Sequence, residues 1–190
     1  MATARSNTEQ HETKSCPRKD GFFDTMSLEL VPTEDGSNTL RGPWGETYHS
    51  ISGAVQESQH VYIKSGLRYF AQRDAAKGCL SQTIHILDVG FGTGLNALLT
   101  YRELLTGLFP ESTSIYYEAV EKFPLTEDIT EKLIYTDSGQ EIEFFRNIHR
   151  GSWGVPFQAA QDFTMLKHAG DLDGYHPVQG IQIVYFDPFS

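Results

Sequence analysis

The stretch "DVGFGTG", Asp88 to Gly94, constrains this chain more than any other. It follows the apolar, partly β-branched run "IHILDVG" and precedes "LNALLTYRELLTG". In the latter, Leu95, Leu98, Leu99 and Leu105 recur at helical spacing and Gly107 offers a stop. A buried strand therefore feeds a glycine loop and then a helix. Glycines at 90, 92 and 94 let the backbone turn tightly and lie close to a ligand. The alternation continues. "SIYYEAVEK" predicts a second strand ending near Glu121, and "PLTEDITEKL" a helix through Leu125, Ile129 and Leu133. "DFTMLKHAGD" and "GIQIVYFD" predict a third and a fourth strand, with "HRGSWGVPFQ" as an irregular connection. Buried-looking strands alternating with helices imply parallel βαβ units and an α/β, Rossmann-like sheet.

The loop spacing is G-x-G-x-G rather than the G-x-G-x-x-G of a dinucleotide site. It is preceded by Asp88, a poor neighbour for a pyrophosphate and a good one for the ammonium of a methionine moiety. This favours S-adenosylmethionine, with Asp88, Gly90, Gly92 and Gly94 at the cofactor. Glu121, one βα unit later, is placed to accept from two ribose hydroxyls. Asp171, after the third strand, is placed to accept from the adenine amine, with Asp173 as a competitor in the turn-like "GDLDG". Ligands of open α/β sheets sit outside the carboxyl ends of the strands, so Asp88, Glu121 and Asp187 should converge on one crevice. The seven histidines show no metal-ligand spacing, and no Cys/His or Ser/His pattern asks for nucleophilic catalysis. His49 and His60 precede the fold proper and are candidates to line the crevice, whereas His85 reads as structural.

Upstream, "LELVPTEDGSNTLRG" predicts a hairpin turning at Asp35-Gly36. A loop then leads into a helix ending near Ala76, with Gly78 as terminator. Residues 1–25 read as a polar tail without the apolar stretch of a signal peptide. Residues 26–80 read as an N-terminal hairpin, loop and helix, and 81–190 as the cofactor-binding core. Two cysteines, Cys16 and Cys79, form no close pair, so a reducing cytoplasm is expected. No apolar run is long enough to span a bilayer. The net charge of −10 counts against a general nucleic-acid binder. Lys64, Arg68, Arg73 and Lys77 form a local basic face, either a solvated helix surface or a phosphate contact.

"DGSNTL", "ETYHSISGAVQESQHVYIKSGL", "LDVGFGTGLNAL", "YEAVEKFPL" and "VYFDPFS" occur in an order that resembles one family across roughly residues 26 to 190. It is the tRNA 5-aminomethyl-2-thiouridine methyltransferase family, known as MnmD or as the methyltransferase half of bifunctional MnmC. The resemblance implies a class I methyltransferase that uses S-adenosylmethionine. Its substrate would be the exocyclic amine of 5-aminomethyl-2-thiouridine at the wobble position of a tRNA anticodon loop. Asp187 then matches the acid of the family's "DxF(S/A)P" segment, beside the transferring methyl. Its expected role is to orient the amine and accept or relay its proton. Tyr48 and Phe189 become candidates to stack on the uridine, with His60 on the same substrate side. A separate flavin-dependent enzyme would supply the aminomethyl substrate, because no counterpart of the flavin half is recognisable. The family's segment continues past "DPFS", so a sheet incomplete after its fourth strand is expected, with an apolar edge next to Ile183 and Tyr185. Two other readings are a class I methyltransferase acting on a small-molecule or protein amine, and a cofactor-binding fragment without turnover.

Overall fold

A computed structural model describes residues 28–178 and 180–187. The predicted polar tail, Cys16 and Phe189 lie outside the described residues. The described chain opens with an antiparallel hairpin of β1 (Glu29–Pro32) and β2 (Asn38–Arg41). It turns at Asp35-Gly36 as expected, with Gly36 at φ +84°. Asp35 accepts from the hydroxyls of Thr33 and Ser37 and from the Ser37 N–H, which fixes the turn.

The predicted first helix is longer than read and begins at Ala54. It runs as α1 (Ala54–Ser58), a π-helical stretch (Gln59–Arg68) and α2 (Tyr69–Ala76), and Gly78 follows at φ +65°. A ten-residue π-helix is uncommon, and such windings recur at functional sites. Ile63, Leu67 and Phe70 are buried along it, and Arg68 grips Glu103 in a two-pronged pair at 2.7 and 2.8 Å.

The main sheet contains β3 (Thr83–Val89), β4 (Ser114–Glu121), β5 (Phe157–Ala160), β6 (Phe163–Ala169) and β7 (Ile183–Phe186), in the order β5-β6-β4-β3-β7. All four predicted strands are present and mutually parallel. The sheet is mixed α/β and mostly parallel, as a Rossmann-like fold requires. The fifth strand, β5, was read as irregular. It pairs antiparallel to β6 through a bulge, and its four residues are too short for a pattern to stand out.

Helices α3 (Leu95–Leu105), α4 (Glu127–Thr130) and α5 (Gly139–Arg150) complete the set. Helix α3 matches the reading except that Leu105 is exposed. Helix α4 is much shorter than predicted. The Asn38 side chain takes over two backbone groups there, donating to the Lys132 carbonyl and accepting from the Ile134 N–H, both at 3.1 Å. Helix α5 was not predicted, although Glu141, Phe144, Phe145 and Ile148 bury one face at helical spacing. Tyr101 of α3 stacks on Phe144 with centroids 4.1 Å apart.

The helices pack with Ile84, Ile86, Tyr117 and Tyr185 in one core. The opposite sheet face buries Leu87, Val89 and Val120 under Tyr175 and Ile181 of the connection before β7. Residues alternate across a strand, so the expectation for β7 needs correction. Ile183 and Tyr185 face the helices and are buried, while Val184 and Phe186 are the exposed apolar residues.

Candidate active site

Strand β3 sits where the sheet order reverses: β4 lies on one side and β7 on the other. A crevice opens outside the carboxyl ends of strands at such a point. The glycine loop emerges there. Gly90, Gly92 and Gly94 take φ of +92°, +50° and +75°, values that side-chain-bearing residues rarely adopt. No side chain caps α3, whose N-cap is Gly94, so its first N–H groups face the crevice end.

Three acids converge around this loop, as expected from the sequence. Asp88 is fully buried. Its Oδ2 accepts from the Tyr117 hydroxyl at 2.8 Å, and its Oδ1 has no partner among the described residues. Burial pushes its carboxyl up to about 8, and the nearby charges of Asp187 and Glu121 add to the shift. Glu121 accepts from the Gly92 N–H and the Phe123 N–H, both at 2.8 Å. The acid therefore clamps the glycine loop, and its oxygens keep further acceptor capacity on the crevice side. Asp187 follows β7, where its N–H bonds the Val89 carbonyl at 2.9 Å. Its carboxyl is half-buried and raised by burial, with the Tyr62 hydroxyl and Asn96 amide opposing the shift by hydrogen bonding.

Asn96 was missed by the sequence reading. Its amide lies 3.5 Å from Asp187 Oδ2 and also opposes the rise of the Asp88 carboxyl, so it acts on two of the three acids. A polar residue in the buried first turn of an apolar helix was the available signal. Tyr62 was also missed. It projects from the π-helical stretch to Asp187, and its hydroxyl reaches the Phe186 carbonyl at 3.4 Å.

Beside Asp187 lies a cleft of about 320 Å³, lined by Tyr48, His49, Glu57, Val61 and Tyr62 among others. Tyr48 is therefore brought to the site. A Cβ at Gly92 would meet its ring at 3.4 Å, so Tyr48 walls both the loop and the cleft. His60 is not brought in. It is exposed on the π-helical stretch, where the neighbouring Ser58, Val61 and Tyr62 face the cleft instead. His49 lines the cleft and bonds Thr93 of the glycine loop at 2.9 Å, and burial lowers its imidazole to about 4. Asp171 is exposed and paired with Lys122 at 2.6 Å, rather than held open for a ligand. A larger cavity of about 570 Å³ lies between α4 and α5, around Leu133 and Phe145, away from the three acids. Among the described residues no cluster of histidine, cysteine and acids could hold a metal ion. No helix there is long and apolar enough to cross a membrane.

The residues fit S-adenosylmethionine. The orphaned, buried Asp88 Oδ1 suits a cationic amino group, and Gly92, at φ +50°, keeps the loop bare of a side chain at that point. The fold and this cluster define a Rossmann-like α/β protein with a small-molecule crevice at the switch point of its sheet. Comparison with known proteins narrows that class. No family model matches the sequence. Curated relatives include the tRNA 5-methylaminomethyl-2-thiouridine biosynthesis bifunctional protein MnmC of Idiomarina loihiensis. It is 35% identical over 91 residues, covering 46% of this chain and 14% of that protein. The MnmC protein of Pseudomonas aeruginosa is 32% identical over 102 residues, covering 54% and 15%. The crystal structure of MnmC2 from Aquifex aeolicus superposes with a TM-score of 0.66 at 25% identity, covering 92% of this chain and 51% of that one. The matched part is thus about one-seventh of the curated relatives and about half of the Aquifex chain. These similarities agree with the resemblance to the MnmD methyltransferase family.

Proposed function

We propose that this chain methylates the exocyclic amine of 5-aminomethyl-2-thiouridine at the tRNA wobble position, giving 5-methylaminomethyl-2-thiouridine. The observation that carries the reading is the convergence of Asp88, Glu121 and Asp187 on the glycine loop, beside the Tyr48–Tyr62 cleft. The relatives named for tRNA 5-methylaminomethyl-2-thiouridine biosynthesis support the substrate. When bound, S-adenosylmethionine supplies an electrophilic methyl group. Asp88 would hold its amino group and Glu121 its ribose, with Gly90, Gly92 and Gly94 leaving room for it. Asp171 stands near the Glu121 end, and adenine binding there requires that its pair with Lys122 open.

The protein's task is then positioning. The amine attacks only when neutral, and a carboxylate that merely paired with the ammonium would hold the proton on. Asp187 therefore orients the amine by accepting a hydrogen bond and takes its proton. Its raised pKa makes it a better base than an exposed aspartate, and Tyr62 and Asn96 fix its geometry. The uridine leaves the anticodon stack to enter the cleft, where Tyr48 forms a wall. Incubation with radiolabelled S-adenosylmethionine tests the substrate. Label should enter tRNA carrying 5-aminomethyl-2-thiouridine and not tRNA with unmodified uridine. Equal incorporation with and without the aminomethylated tRNA would count against it.

A further inference from the structure

Thr93 is buried in the glycine loop between Gly92 and Gly94, whose φ angles are +50° and +75°. Glycine has little backbone preference of its own, so contacts must set where Thr93 lies. Two imidazoles supply them. His149 Nε2 donates to the Thr93 carbonyl at 3.2 Å, and His49 Nε2 shares a hydrogen bond with the Thr93 hydroxyl at 2.9 Å. The first bond goes to the main chain, and any residue at this position could accept it. The second requires a hydroxyl.

Both imidazoles are themselves held. The His49 N–H donates to the Thr39 hydroxyl oxygen at 3.0 Å, and the adjacent Tyr48 N–H donates to the Leu40 carbonyl at 2.9 Å, which fixes this segment on β2. At the end of α5, the buried Lys167 donates to the carbonyls of Ile148 and His149 at 2.7 and 3.0 Å. Burial lowers each ring to about 4, and the Lys167 charge adds to the shift of His149. Neither ring therefore brings a charge to the loop near neutral pH. His49 differs from His149 in one respect. It also lines the cleft that Asp187 lines, so one side chain touches the glycine loop and borders the proposed substrate cleft.

We propose that His49 is a positioning residue: by holding the Thr93 hydroxyl it sets the backbone from Gly92 to Gly94 for the cofactor, from the wall of the substrate cleft. The inference rests on the S-adenosylmethionine reading of the glycine loop. The loop runs into α3 through Gly94, its N-cap, so a displaced Thr93 also displaces the unbonded N–H groups at the head of that helix. With Nε2 engaged by Thr93, His49 acts through the loop rather than on the substrate amine.

Calorimetry with S-adenosylhomocysteine tests this in single and double variants. His49→Phe keeps a ring and removes the hydrogen bond, and Thr93→Val removes the hydroxyl and keeps the shape. Each should weaken binding by roughly tenfold, the effect of leaving one buried hydrogen-bonding group unpaired. His49→Phe combined with Thr93→Val should bind no more weakly than either alone, because both remove the same bond. His49→Gln and Thr93→Ser retain a partner for that bond and should recover most of the affinity. Thermal unfolding of the same preparations reports folding separately. A pair that served stability alone would lower the melting temperature and leave affinity unchanged, and that result overturns the inference. Losses that multiply in the double variant overturn it as well. Loss of labelled methyl transfer in His49→Phe at unchanged S-adenosylhomocysteine affinity also overturns it, assigning His49 to the substrate with the methyltransferase reading intact. Absence of any S-adenosylhomocysteine binding by the parent chain overturns it together with the cofactor reading.

Discussion

Asp88 is the most consequential single residue for pH behaviour. Its carboxyl is fully buried, has one partner, and titrates at about 8 rather than near 4. The folded chain therefore binds more protons than the unfolded chain between those values. Stability contributed by this raised group is fully present below about pH 4 and is lost as pH rises through about 8. Denaturant unfolding should show that decline, and Asp88→Asn should flatten it. Under the proposed function the same shift would govern cofactor binding. A cationic amino group prefers the ionised carboxylate, so binding near neutrality should release a proton. Calorimetry with S-adenosylhomocysteine in buffers of different ionisation enthalpy should detect about one proton in the wild type and close to none in Asp88→Asn. The placement of Asp88 beside the glycine loop was legible because an acid before such a loop is a local pattern. That of Asn96 was not. Its meaning depends on Asp187, which lies 91 positions away in sequence.

At the scale of elements, the loop and its supports set the geometry. A Cβ on residue 94 would stand 3.1 Å from both His149 Nε2 and Phe91 Cζ, at a backbone angle of +75°. Gly94→Ala should therefore cost about 1–2 kcal/mol from the left-handed backbone alone. It should also weaken S-adenosylhomocysteine binding, since His149 bonds the Thr93 carbonyl at 3.2 Å and would be displaced. The π-helical stretch ends at Arg68, which pairs with Glu103; the Glu103 side chain is 2% exposed and that of Arg68 42%. Arg68→Met leaves a buried carboxylate without its cation, at a cost of about 2–3 kcal/mol after allowing for the exposed partner. Thermal or urea unfolding should show that loss, and Arg68→Met combined with Glu103→Leu should recover most of it. Strands β3, β4, β6 and β7 and helix α3 were readable because apolar runs and helical spacing are properties of a short window. The truncation of α4 was not, because Asn38 in the distant hairpin ends it. Helix α5 did carry its signal in Glu141, Phe144, Phe145 and Ile148. The buried Glu141, paired with Arg102 at 2.7 Å, breaks the apolar pattern by which such a face is recognised.

At the scale of the whole molecule, the alternation of strands and helices placed the crevice correctly. A parallel sheet that grows from β3 in both directions must leave its switch point at the glycine loop. The convergence of Asp88, Glu121 and Asp187 followed from that topology without knowledge of any side-chain contact. What topology left undetermined was the wall opposite the acids, because the hairpin and the π-helical stretch reach the site from outside the sheet. Tyr48 and Tyr62 thus line the cleft together with Asp187, although neither belongs to the sheet. The central claim is that Asp187 acts on the substrate amine while the buried acids and the glycine loop hold the cofactor. It is tested most directly by Asp187→Ala, with labelled methyl transfer to 5-aminomethyl-2-thiouridine tRNA and S-adenosylhomocysteine affinity measured on the same preparation. The account predicts transfer reduced by at least about a hundredfold with cofactor affinity close to that of the wild type. Transfer at the wild-type rate in that variant would contradict it.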